Sequence, residues 1–230
     1  LVVAELAEAH DVDHHVLVER GAVFHGPLHA QRHGFGVVAI DVQHGGAHHL
    51  DHIGAVRQLL SKFGNNIPVY ATEFTIGMIK RQMEETMQEA SPNYQIVDAH
   101  SHKIIPISEH LTLEFVHVLH SIPGCVAMII RTPNGNIVHM GDWRFENDPV
   151  DTQFDMPRLI EVAQKEGIDL LMNESTNIDV PGTHPYSEYA IGDSIGQVMD
   201  NYEHARLIIS CFSSQIYRLQ LILNEAAKHN

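Results

Sequence analysis

From residue 49 onward, hydrophobic and polar positions follow two alternating rhythms. "HIGAVRQLLSKFG" (52–64) carries apolar residues at helical spacing and stops at Gly64, and "IPVYAT" (67–72) reads as a short buried strand. "EFTIGMIKRQMEETMQEA" (73–90) returns to helical spacing and is closed by Ser91-Pro92. "LTLEFVHVL" (111–119) and "CVAMIIRT" (125–132) predict strands. The text "RTPNGNIVHMGD" (131–142) then predicts a β-hairpin turning at Asn134-Gly135, with a strand that delivers Asp142 at its end. A helix over "MPRLIEVAQKEG" (156–167) precedes a buried strand, "IDLLMNES" (168–175), ending near Glu174. "YSEYAIGDSIGQVMDNY" (186–202) predicts a helix, "ARLIISCF" (205–212) a strand, and "SQIYRLQLILNEAAKHN" (214–230) a last helix. Strands alternating with helices of this length predict an α/β layered fold.

The first 47 residues break this pattern. They contain no Lys, Ser, Thr, Asn or Tyr, and His residues crowd them. Residues 1–45 are therefore set apart as an unrecognised segment, read either as a His-rich, Ala/Val-rich stretch or as the product of a shifted reading frame.

Composition narrows the function classes. The 230 residues carry a formal net charge of −15, which excludes a whole-molecule basic footprint for nucleic acid. A local basic groove or bound cations remain open as ways to attract phosphate. The two cysteines, Cys125 and Cys211, lie far apart with no CxxC and suggest a reducing compartment. No segment reaches the ~18 consecutive apolar residues of a membrane-spanning helix. A cytoplasmic protein with no membrane partner is expected.

Candidate chemistry gathers at strand ends. Asp51-His52 stand just before a helix, His120 follows the strand 111–119, and Asp142 and Glu174 end strands of their own. Imidazoles and carboxylates on one rim are how a layered α/β protein builds a metal site. "GGAHHLDHIGAV" (45–56) ends in His49-Leu50-Asp51-His52, the second half of an H-x-H-x-D-H pattern. In such a pattern alternate side chains of a tight loop aim at one metal while the Asp-His pair reaches a second. The pattern's first His would stand at position 47, which is Ala47, with His48 next to it.

Five blocks in order, "HLDHIGAV", "IPVYAT", "HSIPGCVAMIIRTPNGNIVHMGDWRFENDPVD", "LLMNESTNIDVPG" and "SCFSSQIYRLQ", resemble the ribonuclease J family, in the β-CASP branch of the metallo-β-lactamase superfamily. The resemblance covers roughly residues 48–230. It implies an incomplete αββα sandwich, with a partial metallo-β-lactamase-like domain over 46–185 and the start of a β-CASP domain over 186–230.

By the same resemblance His49 would bind the first metal, and Asp51 and His52 would serve the second as the catalytic pair, with Asp51 orienting the nucleophilic water. His120 would be a further ligand of the first metal, Asp142 the bridging carboxylate, and Glu174 the motif A acid. Ser213, Ser214 and Arg218 would help to form the RNA channel. His48 would replace the missing ligand at 47 only if the loop shifts. Gly124 departs from the family pattern, which commonly has Asp there, and His139 is a weak candidate for a supporting role beside Asp142.

The cofactor implied is Zn²⁺, two per site, with Mn²⁺ or Mg²⁺ as alternatives. The partner implied is single-stranded RNA, with rRNA processing by exo- and endonucleolytic cleavage and a homo-oligomer in the full-length protein. Two other readings stand beside it. A small-molecule hydrolase on the same fold is disfavoured by the "STN" and "FSSQIYR" blocks, whereas a non-catalytic chain is favoured by Ala47.

Overall fold

The computed structural model describes residues 2–6, 14–18, 38–39, 53–85, 92–176, 178–182, 187–202, 204–212 and 215–229. His48, His49, Asp51, His52, Ser213 and Ser214 lie outside them. Strands β1 (Val2–Leu6) and β2 (His14–Val18) form an antiparallel pair. Strands β3 (Val38–Ala39), β4 (Pro68–Ala71) and β5 (Asn93–Ile96) form a parallel sheet. The largest sheet holds β6 (Ile105–Pro106), β7 (Thr112–His117), β8 (Val126–Thr132), β9 (Gly135–His139) and β10 (Leu170–Met172), in the order β10-β9-β8-β7-β6. Only its β9–β10 pairing is parallel.

Among the described residues, five helices accompany these strands: α1 (Val56–Phe63), α2 (Glu73–Glu85), α3 (Met156–Lys165), α4 (Glu188–Asn201) and α5 (Ile216–Lys228). Among the described residues no helix is long and apolar enough to cross a membrane.

The layers follow from the two-residue period of β7 and β8. Leu113, Phe115, Met128 and Ile130 point one way and form a core with Tyr70 of β4, between the two sheets. Val116, Ala127 and Ile129 point the other way and share a second core with Leu159 and Val162 of α3. That core also takes in Val69 of β4 with Val56 and Leu60 of α1 and Ile79 and Met83 of α2. Helices thus cover the outer face of each sheet, the αββα arrangement expected. Each fully buried side chain such as Leu113, Met128 or Ile129 contributes roughly 1.5–3 kcal/mol.

Local chemistry sets the element ends. Gly64 closes α1 with φ +93° and donates its N–H to Leu60 O at 2.8 Å. Asp155 caps α3 by accepting from the Arg158 amide at 3.2 Å, and Ser187 caps α4 by accepting from the Ala190 amide at 3.2 Å. The hairpin turns where predicted, and Gly135 has φ +139°. A Cβ there would stand 2.6 Å from Asp169 Oδ2, which instead accepts the Asn136 amide at 2.7 Å, so only glycine fits.

One carboxylate lies wholly inside. Glu114 of β7 is 0% exposed. Its oxygens accept Arg158 Nε at 2.6 Å, Arg158 Nη2 at 3.0 Å and Arg131 Nη2 at 2.7 Å. Arg131 also forks onto Glu166 at 2.5 and 3.0 Å, and Arg158 reaches Glu161 at 2.7 Å. Buried charge is tolerated here because every partner is itself paired.

Three expectations differ from the structure. β10 exists but is not buried: Leu170 and Leu171 are 49% and 57% exposed, because β9 is its only strand neighbour among the described residues. Residues 206–212 form no strand, since no described strand stands beside them, and Ile208 is 91% exposed. Leu207 and Ile209 instead border an apolar depression of about 460 Å³ against Ile191, Ile195 and Val198 of α4. The short strands β5 and β6 have no counterpart in the sequence reading.

Candidate metal centre

The segments that carry His120 and Asp142 leave the same end of β7 and β9, the two strands that flank β8. The chain leaves β7 at His117, and the Val118 amide donates to Cys125 O at 3.0 Å, which tightens the loop 120–124. It leaves β9 at His139, and the Met140 amide donates to Met172 O at 2.9 Å, which aligns the turn with β10. Gly141 then takes φ +63° and donates its N–H to His139 Nδ1 at 3.2 Å. Asp142 follows this left-handed step and is 4% exposed. The Arg144 amide donates to Leu119 O at 2.8 Å, in an antiparallel bridge. One hydrogen bond therefore joins the residue before His120 to the segment just after Asp142.

Glu174 supports the same turn from the end of β10. Its Oε1 accepts the Trp143 amide at 2.8 Å, and Asn173 Oδ1 accepts Trp143 Nε1 at 2.6 Å. Trp143, Asn173 and Glu174 with Ser175, Thr176 and Ile178 line a pocket of about 330 Å³. Beside it Trp143 packs against Phe145 and Phe154, with ring centroids 4.9 and 5.5 Å away.

Gly124 adopts φ +73°, and a Cβ at this position would approach Thr72 Oγ1 to 3.1 Å. Thr72 stands just past β4 and shares a hydrogen bond with Thr75 at 3.1 Å. The end of the smaller sheet thus abuts the loop that carries His120.

Arg218 is taken up by protein. Its Nε and Nη2 donate to Glu188 Oε2 and Oε1 at 3.1 and 2.8 Å. Arg144 Nη1 donates to the same Oε1 at 2.9 Å, and Arg144 Nη2 to Glu146 Oε2 at 3.2 Å.

Sequence reasoning missed Glu188, whose partners lie 30 and 44 positions away. A histidine group also meets around β7. His117, 2% exposed, lies against His100 with ring centroids 4.7 Å apart and planes tilted by 38°. Thr152 Oγ1 stands 3.1 Å from His117 Nε2 and 3.4 Å from His100 Nε2. Burial pushes the His117 imidazole below its ordinary pKa, and the neighbouring His100 pushes the same way.

Neutral imidazole and carboxylate are the donor chemistry that Zn²⁺ accepts. His120 and Asp142 fit as two such donors. Among the described residues no group of three or more His, Cys, Asp or Glu side chains forms a complete set, and the other expected ligands lie outside those residues.

Comparison with known proteins agrees with this architecture. Residues 23–179 match the family described as the beta-lactamase superfamily domain. Ribonuclease J 1 of Streptococcus pyogenes serotype M3 is 34% identical over 194 residues, covering 84% of this chain and 32% of the relative. Ribonuclease J of Methanocaldococcus jannaschii is 31% identical over 228 residues, covering 97% of this chain and 48% of the relative. Ribonuclease J of Pyrococcus abyssi is 35% identical over 198 residues, covering 84% and 42%. The chain thus spans less than half the length of these curated relatives. In fold it is similar to a protein of unknown function from Enterococcus faecalis V583, with a TM-score of 0.62 and 18% identity over 89% of this chain and 48% of that one.

Proposed function

The chain belongs to the beta-lactamase superfamily, and from that premise we propose that it is part of a metal-dependent hydrolase of RNA phosphodiester bonds, akin to the ribonucleases J. The observation that carries the reading is the Arg144–Leu119 bridge, which holds the His120 and Asp142 segments side by side at one end of the large sheet. A surface turn has no need of that arrangement, whereas a metal centre built from strand ends depends on it.

In this reading His49, Asp51, His52, His120 and Asp142 hold two Zn²⁺, with Mn²⁺ or Mg²⁺ as alternatives. When bound, the metals supply a hydroxide at neutral pH and balance the charge that develops on phosphorus. Asp51 orients the attacking water and, with His52, forms the catalytic pair. Asp142 would be a carboxylate ligand shared by the two metals. Glu174 keeps the Trp143 amide occupied and so holds the Asp142 turn in shape. Ser213 and Ser214 meet the backbone of single-stranded RNA. The proposed activity is 5′–3′ exonucleolytic with endonucleolytic cleavage beside it, in rRNA processing in the cytoplasm, by a homo-oligomer of the longer protein. The segment from 186 on is assigned to the start of a β-CASP domain.

The test pairs metal analysis with cleavage of a 5′-monophosphorylated single-stranded RNA. Bound zinc and EDTA-sensitive cleavage are expected. Protein that neither retains zinc nor cleaves the RNA would overturn the proposal. Ala47 favours a second reading, a chain whose metal site is impaired. Exchanging the two residues, as Ala47→His with His48→Ala, is then expected to raise zinc content, and unchanged zinc content would rule out Ala47 as the defect.

A further inference from the structure

We infer that Arg144, Glu188 and Arg218 form a positioning relay that ties helices α4 and α5 to the Asp142 turn, with Arg218 acting through Glu188 rather than on RNA. Arg144 serves the relay twice. Its backbone pins Leu119, next to His120, while its guanidinium reaches Glu188 Oε1 at 2.9 Å and Glu146 Oε2 at 3.2 Å. Glu188, 3% exposed, is the first residue of α4, and its own amide donates to Glu146 Oε1 at 2.6 Å. Two carboxylates at a helix N-terminus are favoured by the helix dipole, and two arginines neutralise them. Arg218 closes the relay from α5 with both nitrogens of one guanidinium edge on the Glu188 carboxylate. A phosphate contact through that edge would take from a buried carboxylate one of its two arginines, an unfavourable exchange.

The helices behind Glu188 are packed closely enough to act as one piece. Gly192 faces Leu221, and a Cβ at Gly196 would stand 2.8 Å from Glu225 Oε2. A displacement of the pair is therefore carried by Glu188 to Arg144, and from there to both the Asp142 turn and Leu119. Misplacement by ~1 Å at such a site costs on the order of 100-fold in rate.

The experiment uses the full chain with Arg218→Met, Arg218→Lys, Glu188→Gln and the Arg218→Met/Glu188→Gln double variant. Three readouts are taken: steady-state cleavage of single-stranded RNA, its salt dependence, and amide hydrogen exchange. The kinetic part rests on the RNA-hydrolase reading. Arg218→Met and Glu188→Gln are each expected to lower kcat by ~10–100-fold with KM nearly unchanged, to be non-additive when combined, and to be partly rescued in Arg218→Lys. Exchange is expected to rise in residues 140–146 and to stay unchanged in β8. A raised KM with a flatter salt dependence and an intact kcat would make Arg218 an RNA contact and overturn the relay. Unaltered exchange in 140–146 would also overturn it. Wild-type chain that neither binds zinc nor cleaves RNA would refute the functional reading alone, because the exchange comparison still decides the relay.

Discussion

Glu114 and Glu188 are both buried carboxylates gripped by two arginines, one on the α3-facing side of the large sheet and the other at the first turn of α4. Around Glu114 the arginines come from β8 and α3, elements already locked together by the core, and Glu161 and Glu166 pair their outer ends. Around Glu188 they come from the Asp142 turn and from α5, segments that share no strand pairing. The Glu188 arginines are also more open to solvent than those on Glu114. The same electrostatic device therefore has different consequences. Within a packed layer it fixes the register of strand against helix, and between separate segments it transmits position.

The most severe way to break this comparison is Glu114→Ala. Removing the fully buried partner leaves Arg131 and Arg158 with only their outer glutamates, and a loss of ~3–5 kcal/mol in urea denaturation is expected, larger than for Glu188→Ala. An equal or smaller loss than at Glu188 would erase the distinction. Glu174→Ala gives an intermediate, local effect. It removes the acceptor for the Trp143 amide beside Asp142, and under the proposed metal-dependent function zinc affinity is expected to fall ~10–100-fold, as for loss of groups that orient metal ligands. Zinc competition against a chelator measures this, and unchanged affinity would detach Glu174 from the site.

The smallest expected effect concerns His117. Its pKa is lowered in the fold, so the unfolded chain takes up the proton first as pH falls below about 6.5. The group's contribution to stability is complete above the unfolded value and is lost as pH falls towards the lower folded one. Thermal melts from pH 7.5 to 5 should therefore show a steeper decline for the wild type than for His117→Gln. Parallel declines would mean that His117 does not couple to folding.

What could be read from the chain alone has a physical limit. Helices α1 and α3, the β8–β9 hairpin and the strand-end placement of His120 and Asp142 were legible, because periodicity, Gly64, the Asn134-Gly135 turn and the ordered motif blocks are local signals. β5 and β6 were not, since "NYQI" and "IP" are too short to show alternation and exist only through their neighbours. "ARLIISCF" has the composition of a strand and fails to be one among the described residues, because a strand is defined by a partner. The hold of Glu174 on the Trp143 amide and of Glu188 on two arginines joins residues 30 or more positions apart. No short pattern encodes that.

The contact between Gly124 and Thr72 has a further consequence, for inheritance. A Cβ at 124 would meet Thr72 Oγ1 at 3.1 Å, so any side chain there requires Thr72 to give way by a few tenths of an ångström. The two positions, one at the end of each sheet, are not free to evolve separately. A change in either alters which residues are acceptable in the other.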